Sequence, residues 1–248
     1  SAVGTTFAGT PLRRSEVVGM PLRPELLSLD RGATRAEAAA YFGLDTERPV
    51  LLVFGGSLGA RRLNEAFGQA WPEVTAAGWQ LLHAVGERAE LVDPGADGYR
   101  VVPYLDRMDL ALALADLVVS RAGAATVSEL TALGIPAVYV PYAVGNGEQA
   151  LNAASVVAAG AARLIPDAEF TAERVRTEIV PFLQRCGDRT ALFELLLHGV
   201  GLPPVARRSD PRFRETDYSV SLRRTPAQSN VLLGALACID GDRAAAES

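Results

Sequence analysis

Short, uninterrupted apolar runs recur along this chain, and helical patterns fill most of the gaps between them. The runs are PVLLVF (49–54), WQLLHAVG (79–86), YRVVPYL (99–105), DLVVS (116–120), PAVYVPY (136–142) and AARLI (161–165). None alternates apolar with polar residues. A strand of that kind is covered on both faces, as in a parallel sheet flanked by helices. RRLNEAFGQAW (61–71), MDLALALA (108–115), ATVSELTALG (125–134) and EQALNAASVVAAG (148–160) carry the helical pattern, and the last two end at Gly134 and Gly160. This order with right-handed crossovers predicts an α/β fold, a doubly wound, Rossmann-like parallel sheet. Ligands of such sheets sit at the carboxyl ends of the strands.

The flanks read differently. SEVVGMPLRP (15–24) is a short β run followed by a turn with two prolines, and TRAEAAAYFGL (34–44) reads as a capped helix closed by Gly43. A further helix is expected near 171–183. Beyond Arg185 the alternation stops. LFELLLHGVGLPP (192–204) has helical character, VARRSDPRFRETDYSVSLRRTPAQS (205–229) is polar, arginine-rich and aperiodic, and NVLLGALACI (230–239) is a short apolar run. The expected organisation is therefore 1–24 as the end of a preceding domain with a linker, 25–185 as one domain, and 186–248 as an atypical, partly ordered tail. A first element that looks like the end of something makes a fragment the expectation.

The net charge of −5 and a pI near 5.2 argue against nucleic acid or an anionic membrane as the main partner of this chain. No apolar run approaches the roughly 18–20 residues of a membrane span. Cys186 and Cys238 are far apart and form no metal or redox motif, so free thiols in a reducing cytoplasm are expected. His83 and His198 are too few for a histidine metal site.

Three polar turns follow strands and open helices. In GGSLGA (55–60), Gly55 and Gly56 permit a sharp turn and Gly59 a close approach of helix and strand. A phosphate suits such a helix start, although the turn matches neither G-x-G-x-x-G nor a P-loop. In RAGAATVSE (121–129), Gly123 and the alanines leave room for a ligand to touch the backbone, and Thr126 can cap or donate a hydroxyl. Glu129 lies one turn on, and a carboxylate matches the two adjacent hydroxyls of a ribose; complementing the helix dipole is the plainer role open to it. In GNGEQALNA (145–153), Asn146, Glu148 and Gln149 suit sugar hydroxyls, or a capped loop. All three turns should converge on one sheet edge.

GMPLR, GGSLGARRLN, SRAGAATVSEL and PYAVGNGEQALNA, in this order and spacing from about Val17 to Leu183, resemble the C-terminal, donor-binding half of the MurG family of N-acetylglucosaminyltransferases. The resemblance implies the C-terminal domain of a GT-B glycosyltransferase. It implies inverting transfer of N-acetylglucosamine from UDP-GlcNAc to lipid I, giving lipid II for peptidoglycan, at the cytoplasmic face of the bacterial membrane as a peripheral protein. Carried onto this chain, Glu129 holds the ribose, and Gly123, Ala124, Ala125 and Thr126 meet the pyrophosphate. Glu148 and Gln149 bind sugar hydroxyls, Arg23 lies near the uracil, and Ser57 lines the cleft. Met20 stands where the family often has asparagine, Glu148–Gln149 where it has two glutamines, and Ala150 where a larger polar residue is common. The family's N-terminal half, which holds the acceptor, the expected catalytic base and the membrane-docking surface, has no counterpart here.

No cofactor or metal is expected. The chain lacks a DxD-like carboxylate pair, and DRMD (106–109) has another spacing. A helix N-terminus can stabilise the departing diphosphate without one. Two alternatives stand beside glycosyl transfer: a nucleotide-sugar-binding fragment without turnover, and a UDP-sugar epimerase of GT-B shape, which would need both domains and acidic catalytic residues that this sequence does not place.

Overall fold

The computed structural model describes residues 3–7, 12–142 and 147–185. The tail 186–248, and Gly145 and Asn146 of the third turn, lie outside the described residues. Two short strands near the start, β1 (Val3–Thr5) and β2 (Ser15–Val17), pair in parallel with each other alone. Helix α1 (Pro24–Leu27) and helix α2 (Arg31–Phe42) follow. Each apolar run then yields a strand: β3 (Val50–Phe54), β4 (Gln80–Ala84), β5 (Tyr99–Val102), β6 (Leu117–Ser120), β7 (Ala137–Tyr139) and β8 (Ala162–Leu164). Helices α3 (Arg61–Ala76), α4 (Met108–Leu114), α5 (Ala124–Ala132) and α6 (Glu148–Ala158) connect them. After β8 come a short 3₁₀ turn (Asp167–Glu169), α7 (Ala172–Arg174), a π-helical turn (Val175–Ile179) and α8 (Val180–Arg185).

The six strands are all parallel, in the order β5-β4-β3-β6-β7-β8. The chain starts in the middle at β3, builds outward to β5, then returns past β3 to build β6, β7 and β8 on the other side. That is the doubly wound order with its reversal between β3 and β6. The uninterrupted apolar runs follow from it. Val50, Leu52 and Phe54 of β3 enter one core layer with α2, α4, α5 and α6, while Leu51 and Val53 enter the other with α3 and the helices after β8. β6 divides likewise, with Val118 on one face and Leu117 and Val119 on the other.

Two helix boundaries differ from the sequence reading. α2 starts at Arg31, not Thr34, because the Asp30 carboxylate accepts the Ala33 N–H at 3.0 Å and caps it. α3 runs through Pro72 to Ala76 instead of stopping at Trp71. Val74, fully buried against the sheet, holds the last turn in place despite the bond that proline removes. Gly43, at φ 66°, closes α2 as expected.

A buried ion pair pins the amino edge of the sheet. Arg35 of α2 meets Asp116, just before β6, at 3.0 Å, and donates to the carbonyls of Leu114, Thr46 and Arg48. Asp116 also accepts the Val50 N–H at 2.9 Å. One carboxylate thus ties the start of β3 to the start of β6.

Candidate functional site

The register sets the crevice. Phe54 and Ser120, the last residues of β3 and β6, lie opposite each other, so the GGSLGA and RAGAAT turns leave the sheet side by side at the reversal point. Ser120 also lies opposite Tyr139 of β7, which brings the start of α6 to the same edge.

The first turn requires glycine at its contact with β4. Gly59 has φ 75°, and a Cβ there would lie 2.0 Å from the Val85 carbonyl oxygen. A Cβ on Gly86 would lie 2.4 Å from the Gly59 nitrogen. The close approach is therefore between the turns after β3 and β4, not between helix and strand as the sequence suggested. It lifts Ser57 and Leu58 into solvent at the crest, with Leu58 71% exposed.

Helices α3, α5 and α6 all begin at this edge, and none has a side-chain cap; their N-cap residues are Ala60, Gly123 and Gly147. A Ser, Thr, Asp or Asn in place of Ala60 would stabilise α3 by about 1 kcal/mol, whereas the glycine caps forgo only a few tenths. α2 and α7 use such caps, Asp30 and Thr171. In α5 the first intrahelical bond runs from Val127 N–H to the Gly123 carbonyl at 2.9 Å. The N–H groups of Ala124, Ala125 and Thr126 lie ahead of it, at the positive end of the dipole. Thr126 does not cap its helix.

Glu129, one turn into α5, is mostly buried and receives Arg23 from the segment before α1: Nη2 approaches Oε1 at 2.9 Å and Nε at 3.1 Å. These residues are 106 apart in sequence, and the sequence reading gave them separate roles. Arg23 remains about half exposed, so the pair faces solvent.

Glu148 and Gln149 open α6. The Gln149 side-chain oxygen accepts two backbone N–H groups, from Tyr142 at 2.9 Å and from Ala122 at 3.3 Å. One turn on, Asn152 Nδ2 donates to the Ala122 carbonyl at 3.0 Å. On its other side the turn is held by Arg121, whose guanidinium donates to Val140 and Pro141 carbonyls, pairs with Asp167 and lies over the Tyr142 ring. Neither Arg121 nor Asn152 was singled out from sequence. Both lie within the quoted motifs, but their partners are brought near by the pairing of β6, β7 and β8.

His83 is fully buried. Asn64 donates through Nδ2 to the Val85 carbonyl at 2.8 Å, so its oxygen faces the imidazole. His83 Nε2–H therefore donates to Asn64, and Tyr99 donates its hydroxyl to His83 Nδ1, each at 3.1 Å. Burial pushes the imidazole pKa down to about 3 and the Tyr99 hydroxyl up. Among the described residues no three His, Cys, Asp or Glu side chains gather as a metal site, and no helix is long and apolar enough to cross a membrane.

A family model described as "Glycosyltransferase family 28 C-terminal domain" matches residues 50–186. The chain is 59% identical over 184 residues to a UDP-N-acetylglucosamine–N-acetylmuramyl-(pentapeptide) pyrophosphoryl-undecaprenol N-acetylglucosamine transferase of Clavibacter sepedonicus, covering 74% of this chain and 50% of that protein. It is 55% identical over 193 residues to the protein of that name from Leifsonia xyli subsp. xyli, covering 78% and 53%. The chain thus spans about half the length of the curated relatives it matches. Among solved structures, MurG of Acinetobacter baumannii superposes with a TM-score of 0.61 at 26% identity, over 84% of this chain and 58% of that one. The uncapped helix starts at the reversal of the sheet and the match over 50–186 lead to one assignment: the chain belongs to the glycosyltransferase family 28 C-terminal domain family.

Proposed function

We propose that this chain is the donor-binding half of an inverting N-acetylglucosaminyltransferase that moves N-acetylglucosamine from UDP-GlcNAc to lipid I, giving lipid II for peptidoglycan. The observation that carries the reading is the meeting of α5's uncapped start with the Arg23–Glu129 pair at the reversal of the sheet. Glu129 accepts the ribose hydroxyls, and Arg23 both steadies that carboxylate and lies beside the uracil. The backbone of Gly123, Ala124, Ala125 and Thr126 meets the pyrophosphate. Glu148 and Gln149 bind sugar hydroxyls, and Ser57 lines the cleft. Residues 25–185 form the nucleotide-sugar domain; 1–24 lead into it from the acceptor half.

In the reaction the acceptor hydroxyl attacks C1 of the sugar as the bond from C1 to the UDP oxygen breaks. Its proton passes to a base carried by the acceptor half, since His83 is enclosed and neutral. Charge builds on the departing diphosphate, where the first-turn N–H groups of α5 stabilise it without reorganising. The acceptor half also docks the assembly peripherally on the cytoplasmic face of the membrane.

Titration calorimetry of the 248-residue chain with UDP tests the donor site. UDP should bind, and Glu129→Ala should weaken it by about 1.5–3 kcal/mol, as for a hydrogen bond to a charged group. A 2′,3′-dideoxy analogue should be nearly indifferent to that substitution. Absence of heat at millimolar UDP from folded protein counts against the reading, and equal losses for both ligands remove Glu129 from the ribose.

A further inference from the structure

We propose that Asn152 is a positioning residue that aims the Gly123 end of α5 at the diphosphate, acting through the Ala122 peptide and touching no ligand itself. The inference rests on the donor-site reading above.

Ala122 is fully buried, so water cannot serve its backbone polar groups. Both are served by one face of α6. Gln149 accepts the N–H and Asn152, three residues on, donates to the carbonyl. The Ala122 carbonyl and the Gly123 N–H belong to one planar peptide unit and point in opposite directions. Holding the carbonyl therefore sets the direction of the Gly123 N–H. Gly123 has no side chain to restrict its own dihedrals and no cap to anchor the helix start, so restraint must come from outside the turn. Arg121 supplies part of it through its own side chain and Gln149 holds the Arg121–Ala122 peptide, but among the described residues the hydrogen bond to the Ala122–Gly123 peptide that leads into the helix comes from Asn152. With the Asn152 donor removed, that peptide can rotate, and the N–H groups ahead of Val127 lose their common aim. Uracil and ribose contacts would be left as they are.

The test compares three ligands, uridine, UDP and UDP-GlcNAc, on the unmutated chain, Asn152→Ala and Asn152→Asp. Asn152→Asp keeps the side-chain volume, removes the donor and serves if the alanine variant does not fold. Ligand-observed NMR follows uridine, and calorimetry follows the other two. Both variants should lose about five- to tenfold in affinity for UDP and for UDP-GlcNAc alike, the size of one hydrogen bond, with uridine unchanged. Loss confined to UDP-GlcNAc overturns the inference, because Asn152 would then contact the sugar. Equal loss for all three ligands also overturns it, as a general effect on folding. Undiminished UDP binding by both variants overturns it while leaving the donor site intact, whereas failure of the unmutated chain to bind UDP overturns the donor-site reading and this inference together.

Discussion

His83 has no solvent exposure between Asn64 and Tyr99, and its imidazole stays neutral down to about pH 3. Its ordinary pKa of 6.5 belongs to the unfolded chain. Above that value both states carry a neutral ring, and the residue adds nothing to the pH dependence of stability. Below it the unfolded chain takes up a proton that the folded chain refuses, so stability falls as acid is added, down to about pH 3. By pH 5 the loss from this residue should be about 2 kcal/mol. Urea midpoints at about pH 7.5 and about pH 5 measure it, and His83→Gln should flatten the difference between them. An unchanged slope in that variant would assign the acid sensitivity elsewhere. The enclosure that makes His83 acid-sensitive also unsuits it for taking a proton from an acceptor hydroxyl.

Among the elements, the Arg35–Asp116 pair is a buried ionic tie between helix and sheet. Arg35→Met would leave Asp116 buried beside an apolar chain, and about 3–5 kcal/mol of stability should be lost, read as a fall in the thermal midpoint. Replacing both residues with apolar ones should recover part of it; no recovery would mean that Arg35 acts through the Leu114, Thr46 and Arg48 carbonyls instead. The pair also marks what was legible beforehand. Strands and their succession along the chain could be read because runs such as PVLLVF carry apolar residues at every position, which suits a doubly covered sheet. Helix ends were legible where one residue type decides them, as at Gly43, and not where two compete, as Asp30 and Thr34 did. Nothing in the sequence around Arg35 announces its pairing, because its partner is 81 residues away. Distance along the chain likewise hid the Arg23–Glu129 pair and the grip of Asn152 on Ala122. Residue chemistry at the crevice could be read locally; who holds whom could not.

At the level of the whole molecule, the described residues supply the helix starts and the carboxylate that the proposal assigns to a donor, and their one histidine is sealed in the core. Group transfer needs the acceptor hydroxyl in line and a base within about 3 Å of it. The chain by itself should therefore give no lipid II from UDP-GlcNAc and a lipid I analogue, in an assay of radiolabelled sugar transfer. Covalent addition of the N-terminal half of a relative should restore transfer. Turnover by the unsupplemented chain would overturn the assignment of the base to the acceptor half and place a catalytic residue within this chain.

The placement of the reversal between β3 and β6 has a consequence in time. Neighbouring strands in this sheet are mostly close in sequence, but β3 meets β6 from Leu51 to Leu117, the longest closure of the six-stranded sheet. Long closures are slow to form, because the entropy of the loop is lost before its contacts are gained. The two turns proposed to flank the nucleotide become neighbours only when that closure is made. If it forms after the rate-limiting barrier, saturating UDP should slow unfolding and leave the refolding rate unchanged in stopped-flow fluorescence. Refolding that accelerates with UDP would instead place the β3–β6 closure in the folding nucleus, with the ligand site assembled before the rest of the sheet.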